Sequence, residues 1–382
     1  MITTTKIWLK ENLKGDPVIW FVVFLLSLLS VAVVYSATGT LAYKMMSGNT
    51  EHYLRKHSMF MILSLAVMWF CHKLDYKYYA KISRVALLVS IPLLLFTYLF
   101  GSNLNEASRW FTIPIINQSF QPSDLAKFAL ISSLASMLAK RQQNIADIKE
   151  TLIPLLLWVG GICGAIALSN LSTSLMLFAT CVLLMFIGRV PLKYLMMLGV
   201  VGIVALSIAL AVGQRLGTAI SRVTKFMDPN PSSVPYQAQQ SYIAIATGGI
   251  MGKGPGKSTS RNVLPHPYSD FIYAIIIEEY GLVGGAAVLM LYLVILYRGM
   301  ITLSNSERAF GALLSAGLSF SLVIQSMINM GVAVGLGPIT GLPLPLLSMG
   351  GTSLLFTGVS LGIILSVSRG EGDESQLNKE SL

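Results

Sequence analysis

Charge is the first thing this chain lacks. Asp, Glu, Lys and Arg make up 12% of its 382 residues, where soluble domains carry about 25%. Apolar residues reach 54%, leaving too little polar surface to cover a water-soluble globule. Cysteine is scarce too. Cys71, Cys163 and Cys181 are odd in number and lie in apolar stretches, which argues against a disulfide framework or a cysteine-held metal. No convincing internal repeat or low-complexity linker interrupts the chain. One membrane domain is therefore expected over 1–368, followed by a short polar tail over 369–382 that reads as disordered. Residues 17–38 are too long for the apolar core of a cleaved leader and lack a small-residue cleavage site, so they read as an anchor.

What is present is a recurrence of apolar runs: 17–38, 58–74, 84–101, 123–140, 152–169, 172–189, 192–213, 270–298, 308–335 and 348–368. Each approaches or passes the ~20 residues that cross a bilayer. Lipid offers no partner for free backbone groups, and the alternation of a barrel strand is missing, so each run must be helical. The expected fold is all-α, a polytopic integral membrane protein with ten transmembrane helices. A long extracytoplasmic loop, 214–269, separates the seventh and eighth. With the N-terminus inside, sixteen Lys and Arg fall on the inner side and ten on the outer, so both termini are expected in the cytoplasm. Positive-inside anchoring accounts for most of the net charge of +10, and no nucleic-acid partner is needed to explain it.

Acids are scarce in the long polar segment. Between Ala211 and Phe271 only Asp228 and Asp270 occur, among Arg215, Arg222, Lys225, Lys253, Lys257 and Arg261. Asp270 heads a span, in LPHPYSDFIYAIIIEEYG. Alone it could simply favour a helix N-terminus. Beside a basic, glycine-rich loop it also suits a general base acting on an anionic, membrane-bound substrate. Glu278 and Glu279 lie two turns deeper, about 12 Å or more along the axis, and neither forms a carboxylate pair with Asp270. Glu279 reads as a buried polar contact, with Lys127 as its candidate partner. The segment GGIMGKGPGKS, 248–258, has the glycines of an anion-binding nest. It is not a P-loop, because Met251 stands where the first glycine belongs. The bland alternative is a re-entrant turn.

Two further segments stand out. Arg109-Trp110 and Gln121-Pro122-Ser123 flank FTIPIINQSF, which reads as a short apolar hairpin. Ser123 is a candidate N-cap for the span bearing Asp124 and Lys127, which could pair at i, i+3. Arg109 could hold a phosphate or carboxylate, or only anchor the chain at the interface. In GPITGLPLPLLSMGG three prolines break the helix pattern. Irregular backbone at membrane depth lines a cavity or is buried by protein, which nominates Ser348, Gly350 and Gly351 as lining residues.

Together these segments resemble the SEDS family (shape, elongation, division and sporulation) of peptidoglycan polymerases. The resemblance covers nearly the whole chain and rests on SRW…QPSDLAK (108–127), RVTKFMDP (222–229), YQAQQSYIAIATGGIMGKGPGKS (236–258), LPHPYSDFIYAIIIEEYGLVGG (264–285) and INMGVAVGLGPITGLPLPLLSMGGTSL (328–354). YQAQQS followed by GKGPGKS is closer to the division branch, FtsW, than to the elongation branch, RodA. Three positions depart from the family pattern. His266 stands where Glu is frequent, Ser169-Asn170-Leu171-Ser172-Thr173 replaces Pro-Asp-Leu-Gly-Thr, and SMGG replaces Ser-Tyr-Gly-Gly.

The resemblance implies a ten-span protein of the bacterial cytoplasmic membrane, at the division septum, that joins lipid II into glycan strands. The essential acid maps onto Asp270. Substrate contacts are expected from Arg109, Gln121, Ser123, Lys127, Arg222, Gln239, Ser241, Lys257, Ser269, Ser348 and Gly350, with Asp124 and Glu279 as structural polar groups. No metal ligands are assigned; a divalent cation, Mg or Mn, is the one cofactor the chemistry admits. The partners implied are lipid II, the nascent glycan strand, membrane lipid, and a class B penicillin-binding protein with other division proteins. The alternatives are a lipid II flippase and a scaffold for division proteins. A flippase wants polar groups spread through the membrane depth, whereas here they crowd one face.

Overall fold

A computed structural model describes residues 12–45, 50–100, 102–104, 107–113, 118–145, 147–212, 216–228 and 230–380. Lys6, Lys10, Gln214 and Arg215, used above in the topology and loop readings, lie outside these residues. The chain is built on helices: α1 (Pro17–Met45), α2 (Thr50–Lys73), α3 (Tyr79–Phe100), α4 (Pro122–Lys140), α5 (Ile153–Ala167), α6 (Leu171–Ile187), α7 (Leu192–Val212), α8 (Leu216–Met227), α9 (Tyr236–Gly248), α10 (Ile272–Asn305), α11 (Ala309–Ala333) and α12 (Gly351–Glu380). Each of the ten apolar runs falls on one of them. Seven helical stretches, coinciding with α1, α2, α3, α5, α10, α11 and α12, are long and apolar enough to cross a membrane. Leu171–Ile187 and Leu192–Val204 are shorter apolar stretches, and α4 carries Asp124 and Lys127 in its first two turns.

The helical fold expected is present, with one addition and one correction. The addition is local: β1 (Ser102–Leu104), β2 (Ala107–Ile113) and β3 (Gln118–Phe120) form a small antiparallel sheet, with Asn103 opposite Ser108 and Phe111 opposite Phe120, and β2 with β3 is the hairpin expected over FTIPIINQSF. The β-branched and aromatic residues of ASRWFTI suit a pleated surface better than a helix. The correction concerns the polar tail, which does not leave the helix at Arg369, because α12 runs on to Glu380.

Helix α11 sits centrally, packed against α10, α4, α6 and α12. Helix α12 lies along α2, and two glycines let the backbones meet. A Cβ on Gly358 would stand 2.4 Å from the Ser64 carbonyl oxygen, and one on Gly362 would stand 2.4 Å from that of Met68. Small residues four apart are the usual device for close approach of membrane helices.

Helix α10 is two helices in one. Residues 271–279 are all buried, enclosed by protein on every side. At Gly281 the backbone leaves helical geometry, with φ 72° and ψ −175°. Beyond it Leu282, Val283 and Met290 are exposed, as on a lipid-facing helix. The expected single span, 270–298, is therefore broken by a left-handed residue that only glycine adopts without strain.

Candidate active site

The break in α10 decides what the glycine-rich loop does. A helix interrupted at Gly281 leaves carbonyls before it and amides after it without intrahelical partners. The loop satisfies them. Lys253 and Gly254 donate their backbone N–H groups to the carbonyls of Glu278 and Glu279, both at 2.9 Å, while Leu282 and Val283 donate to Gly249 and Ile250 at 2.9 and 3.3 Å. Such approach requires glycine: a Cβ on Gly248 or Gly252 would lie 2.3 Å from the Ile277 or Glu279 carbonyl oxygen. The Gly252, Lys253, Gly254 and Lys257 amides of the loop are thus engaged by protein, which favours a turn packed on α10 over a phosphate nest.

Glu278 clamps the same junction. Its side chain is 0% exposed. It pairs with Lys253 and accepts the Ser258 hydroxyl, and it also accepts the Thr259 hydroxyl at 2.9 Å and the Thr259 amide at 3.1 Å. Glu279 corrects a second expectation. It accepts from Ser36 on α1 rather than from Lys127, and the Ser36 hydroxyl also accepts from Arg261 at 3.0 Å. Lys127 instead pairs with Asp124 at 2.9 Å and donates to Gln325 Oε1 at 3.0 Å. The helical wheel gives the angle between residues of one helix; it does not say which neighbouring helix each face meets.

Asp270 is different. It lies in the turn just before α10, half-buried, and its carboxylate accepts the Ser269 hydroxyl at 2.9 Å. No helix N–H is bonded to it: the N-cap is Phe271, without a side-chain cap. Its carboxylate is therefore not committed to capping or to an ion pair among the described residues.

The backbone beneath it is held at three consecutive carbonyls. Met349 N–H donates to the Tyr268 carbonyl at 2.8 Å, Ser348 Oγ to that of Ser269 at 2.6 Å, and Asn329 Nδ2 to that of Asp270 at 2.9 Å. Asn329 also reaches the Leu342 carbonyl at 2.7 Å, and Ser348 accepts the Leu344 amide at 2.8 Å. Tyr292 donates to the Pro345 carbonyl. Within this turn the buried Leu346 has φ 63°, a conformation costing about 1–2 kcal/mol for a non-glycine residue, so packing over-determines it.

A polar chain continues from the turn into α4. Gln325 donates to the Pro343 carbonyl at 2.8 Å and accepts from Lys127, which pairs with Asp124. Asp124, Lys127 and Gln325 line a cavity of about 30 Å³, roomy enough for water. Gln325 and Asn329 were missed in the sequence reading. The signal for them was two amides one turn apart in an apolar span, on one face of α11.

The other predicted residues divide into two groups. Ser241 and Ser348 are buried, and each hydroxyl is bonded to backbone, Ser241 to the Ala333 carbonyl at 2.8 Å; they position α9 and the turn rather than line an opening. Ser123 is not the N-cap of α4. Gln121 is, without a side-chain cap and with Pro122 next to it, and the Gln121 side-chain Nε2 donates to Ser123 Oγ at 2.8 Å. Gly350 is half-buried beside the start of α12, Gln239 lies on α9, and Lys257 is exposed. Arg109 is on β2, its side chain outside the described residues.

Arg222 on α8 donates to the Ile339 carbonyl at 3.1 Å. It also lines an apolar cavity of about 340 Å³ between α6, α8, α11 and residues 338–340. Asp270 does not line this cavity. Tyr268 is an unsuitable base, since burial first, then Tyr53 and Asp270, push its phenol above the ordinary range and keep it protonated near neutral pH.

This fold and site define a polytopic membrane protein in which the half-buried Asp270 carboxylate, outside any ion pair among the described residues, stands on an immobilised turn just before α10. The chain belongs to the family of cell cycle proteins that unites FtsW, RodA and SpoVE, whose pattern matches residues 16–372. It is 30% identical to stage V sporulation protein E of Bacillus subtilis, covering 93% of this chain and 98% of that one. A probable peptidoglycan glycosyltransferase FtsW of Geobacter metallireducens is 31% identical, with 95% and 97% covered. The rod shape determining protein RodA of Thermus thermophilus has a similar structure, with TM-score 0.67, 25% identity, and 94% and 97% covered. So does a chain solved in a peptidoglycan synthase complex, with TM-score 0.68, 26% identity, and 94% and 98% covered.

Proposed function

We propose that this protein is a peptidoglycan glycosyltransferase that polymerises lipid II at the outer face of the cytoplasmic membrane, for septal wall synthesis. The reading takes ten spans, both termini inside, and the 214–269 segment outside. The observation that carries it is the contrast around Asp270: a half-buried carboxylate bonded, among the described residues, to Ser269 alone, above a backbone tied at the carbonyls of Tyr268, Ser269 and Asp270.

In the proposed step the 4-hydroxyl of a GlcNAc attacks C1 of the donor MurNAc. Asp270 accepts the hydroxyl proton. The new C1–O bond forms as the C1–O bond to the undecaprenyl diphosphate breaks, inverting the centre and releasing the diphosphate with its electron pair. Positioning matters as much as basicity here, because a misplaced base forfeits most of its effect. Lys257, exposed, and Arg222, on α8, are the cations available to the departing diphosphate; Lys127 is already engaged by Asp124 and Gln325. Among the described residues no three His, Cys, Asp or Glu side chains gather into a metal site. No step is routed through a divalent ion.

The flippase reading would use the broken α10 as a polar path. The backbone groups at the break are bonded to the loop, which supports surface chemistry over transport. A class B penicillin-binding protein is the proposed partner, as the relative solved in a synthase complex suggests. The test is direct: purified protein, with and without such a transpeptidase, is incubated with lipid II and the products run on a gel. A ladder of glycan chains supports the proposal, and unaltered lipid II under both conditions refutes it.

A further inference from the structure

The end of the bundle away from Asp270 holds a feature that glycan chemistry leaves unused. Helix α4 starts beside Thr352 on the Asp270 side and ends at Lys140, on the opposite side. There Arg84 of α3, Lys140 and Arg141 converge on a cavity of about 370 Å³ between α3, α4 and α5, with Trp158 in its wall. The remaining wall is mostly apolar, and Leu88 on its rim is 54% exposed, so it opens sideways from the bundle.

Two of the residues lining this cavity carry a buried polar atom that has no partner among the described residues: the hydroxyl of Ser133, which is 7% exposed, and Nη1 of Arg141. Among the described residues no carboxylate lies within ion-pair distance of the three cations. A buried guanidinium N–H without an acceptor is unfavourable, and an anion relieves it.

We propose that this cavity binds an anionic glycerophospholipid. The phosphodiester sits among Arg84, Lys140 and Arg141, Ser133 and Arg141 supply the buried donors, and an acyl chain runs along the apolar wall past Trp158. Free phosphate would leave that wall uncovered. A zwitterionic lipid would bring its own cation to a cluster of three. Basic pockets between spans are the setting in which anionic headgroups are held. The proposal does not depend on the glycosyltransferase reading.

Native mass spectrometry of the detergent-solubilised full chain tests it, with phosphatidylglycerol, phosphatidylcholine and inorganic phosphate as probes. Phosphatidylglycerol should be retained at least about tenfold more than phosphatidylcholine, and inorganic phosphate should not compete. The variant Arg84→Gln/Lys140→Gln/Arg141→Gln should fall to the phosphatidylcholine level. A charge-matched control, Lys77→Gln/Lys81→Gln/Lys193→Gln, should keep its lipid. Equal retention of the two lipids, equal loss in the control, or displacement by phosphate overturns the proposal. Should the triple variant fail to fold, Arg84→Gln alone carries the test, since Arg84 is exposed. A several-fold loss supports the site and unchanged retention contradicts it.

Discussion

Asp270 and Glu278 are two carboxylates eight residues apart at the start of one helix, in opposite surroundings. Glu278 is fully enclosed, paired with Lys253 and bonded to Ser258 and Thr259. Asp270 is half-buried and, among the described residues, accepts from its neighbour Ser269 alone. The first closes the gap where α10 is broken; the second is left available while the backbone under it is fixed. Bonding to many donors makes a carboxylate a clamp, and isolation on a rigid support makes it a reagent.

The comparison yields graded predictions. Asp270→Asn should reduce polymerisation by about 10²–10⁴-fold, the range for a positioned general base, with the melting temperature within a few degrees of the parent. Glu278→Ala should do the reverse. It leaves Lys253 and the hydroxyls without their acceptor, and breaking such a pair costs about 3–5 kcal/mol, seen as a lower melting temperature and reduced yield. Gly281→Ala removes the left-handed residue, and its Cβ would stand 2.1 Å from the Ile250 carbonyl oxygen. The conformational strain alone is about 1–3 kcal/mol, and protection of the 249–254 amides against hydrogen exchange should fall with it. Asn329→Ala frees the Asp270 and Leu342 carbonyls, costing about 1–3 kcal/mol. It should slow polymerisation partially rather than abolish it. Tyr268→Phe, removing a phenol that stays protonated, should change the rate least and leave the neutral pH profile in place.

The sequence made Asp270 visible because a lone acid in a basic, polar segment needs no partner to be noticed. The spans were equally legible, since composition alone requires helices in lipid. What escaped it depended on pairing between elements. Gln325 and Asn329 are uncharged and look unremarkable until α11 is seen against the 342–349 turn. Glu279 met Ser36 rather than Lys127 because the order of helices around the bundle is not written in any one of them. Gly281 resembles the other glycines of GLVGG, and only the loop bonded on both sides of it shows that the helix breaks there. The hairpin over FTIPIINQSF was legible and is present as β2 and β3, whereas β1, which completes the sheet, escaped.

The central claim is that Asp270 carries the chemistry and not the fold. The most direct measurement is the glycan ladder formed from lipid II by purified Asp270→Ala, alongside its melting curve. The account predicts an unchanged melting transition and no glycan chains. A full ladder from the folded variant would contradict it.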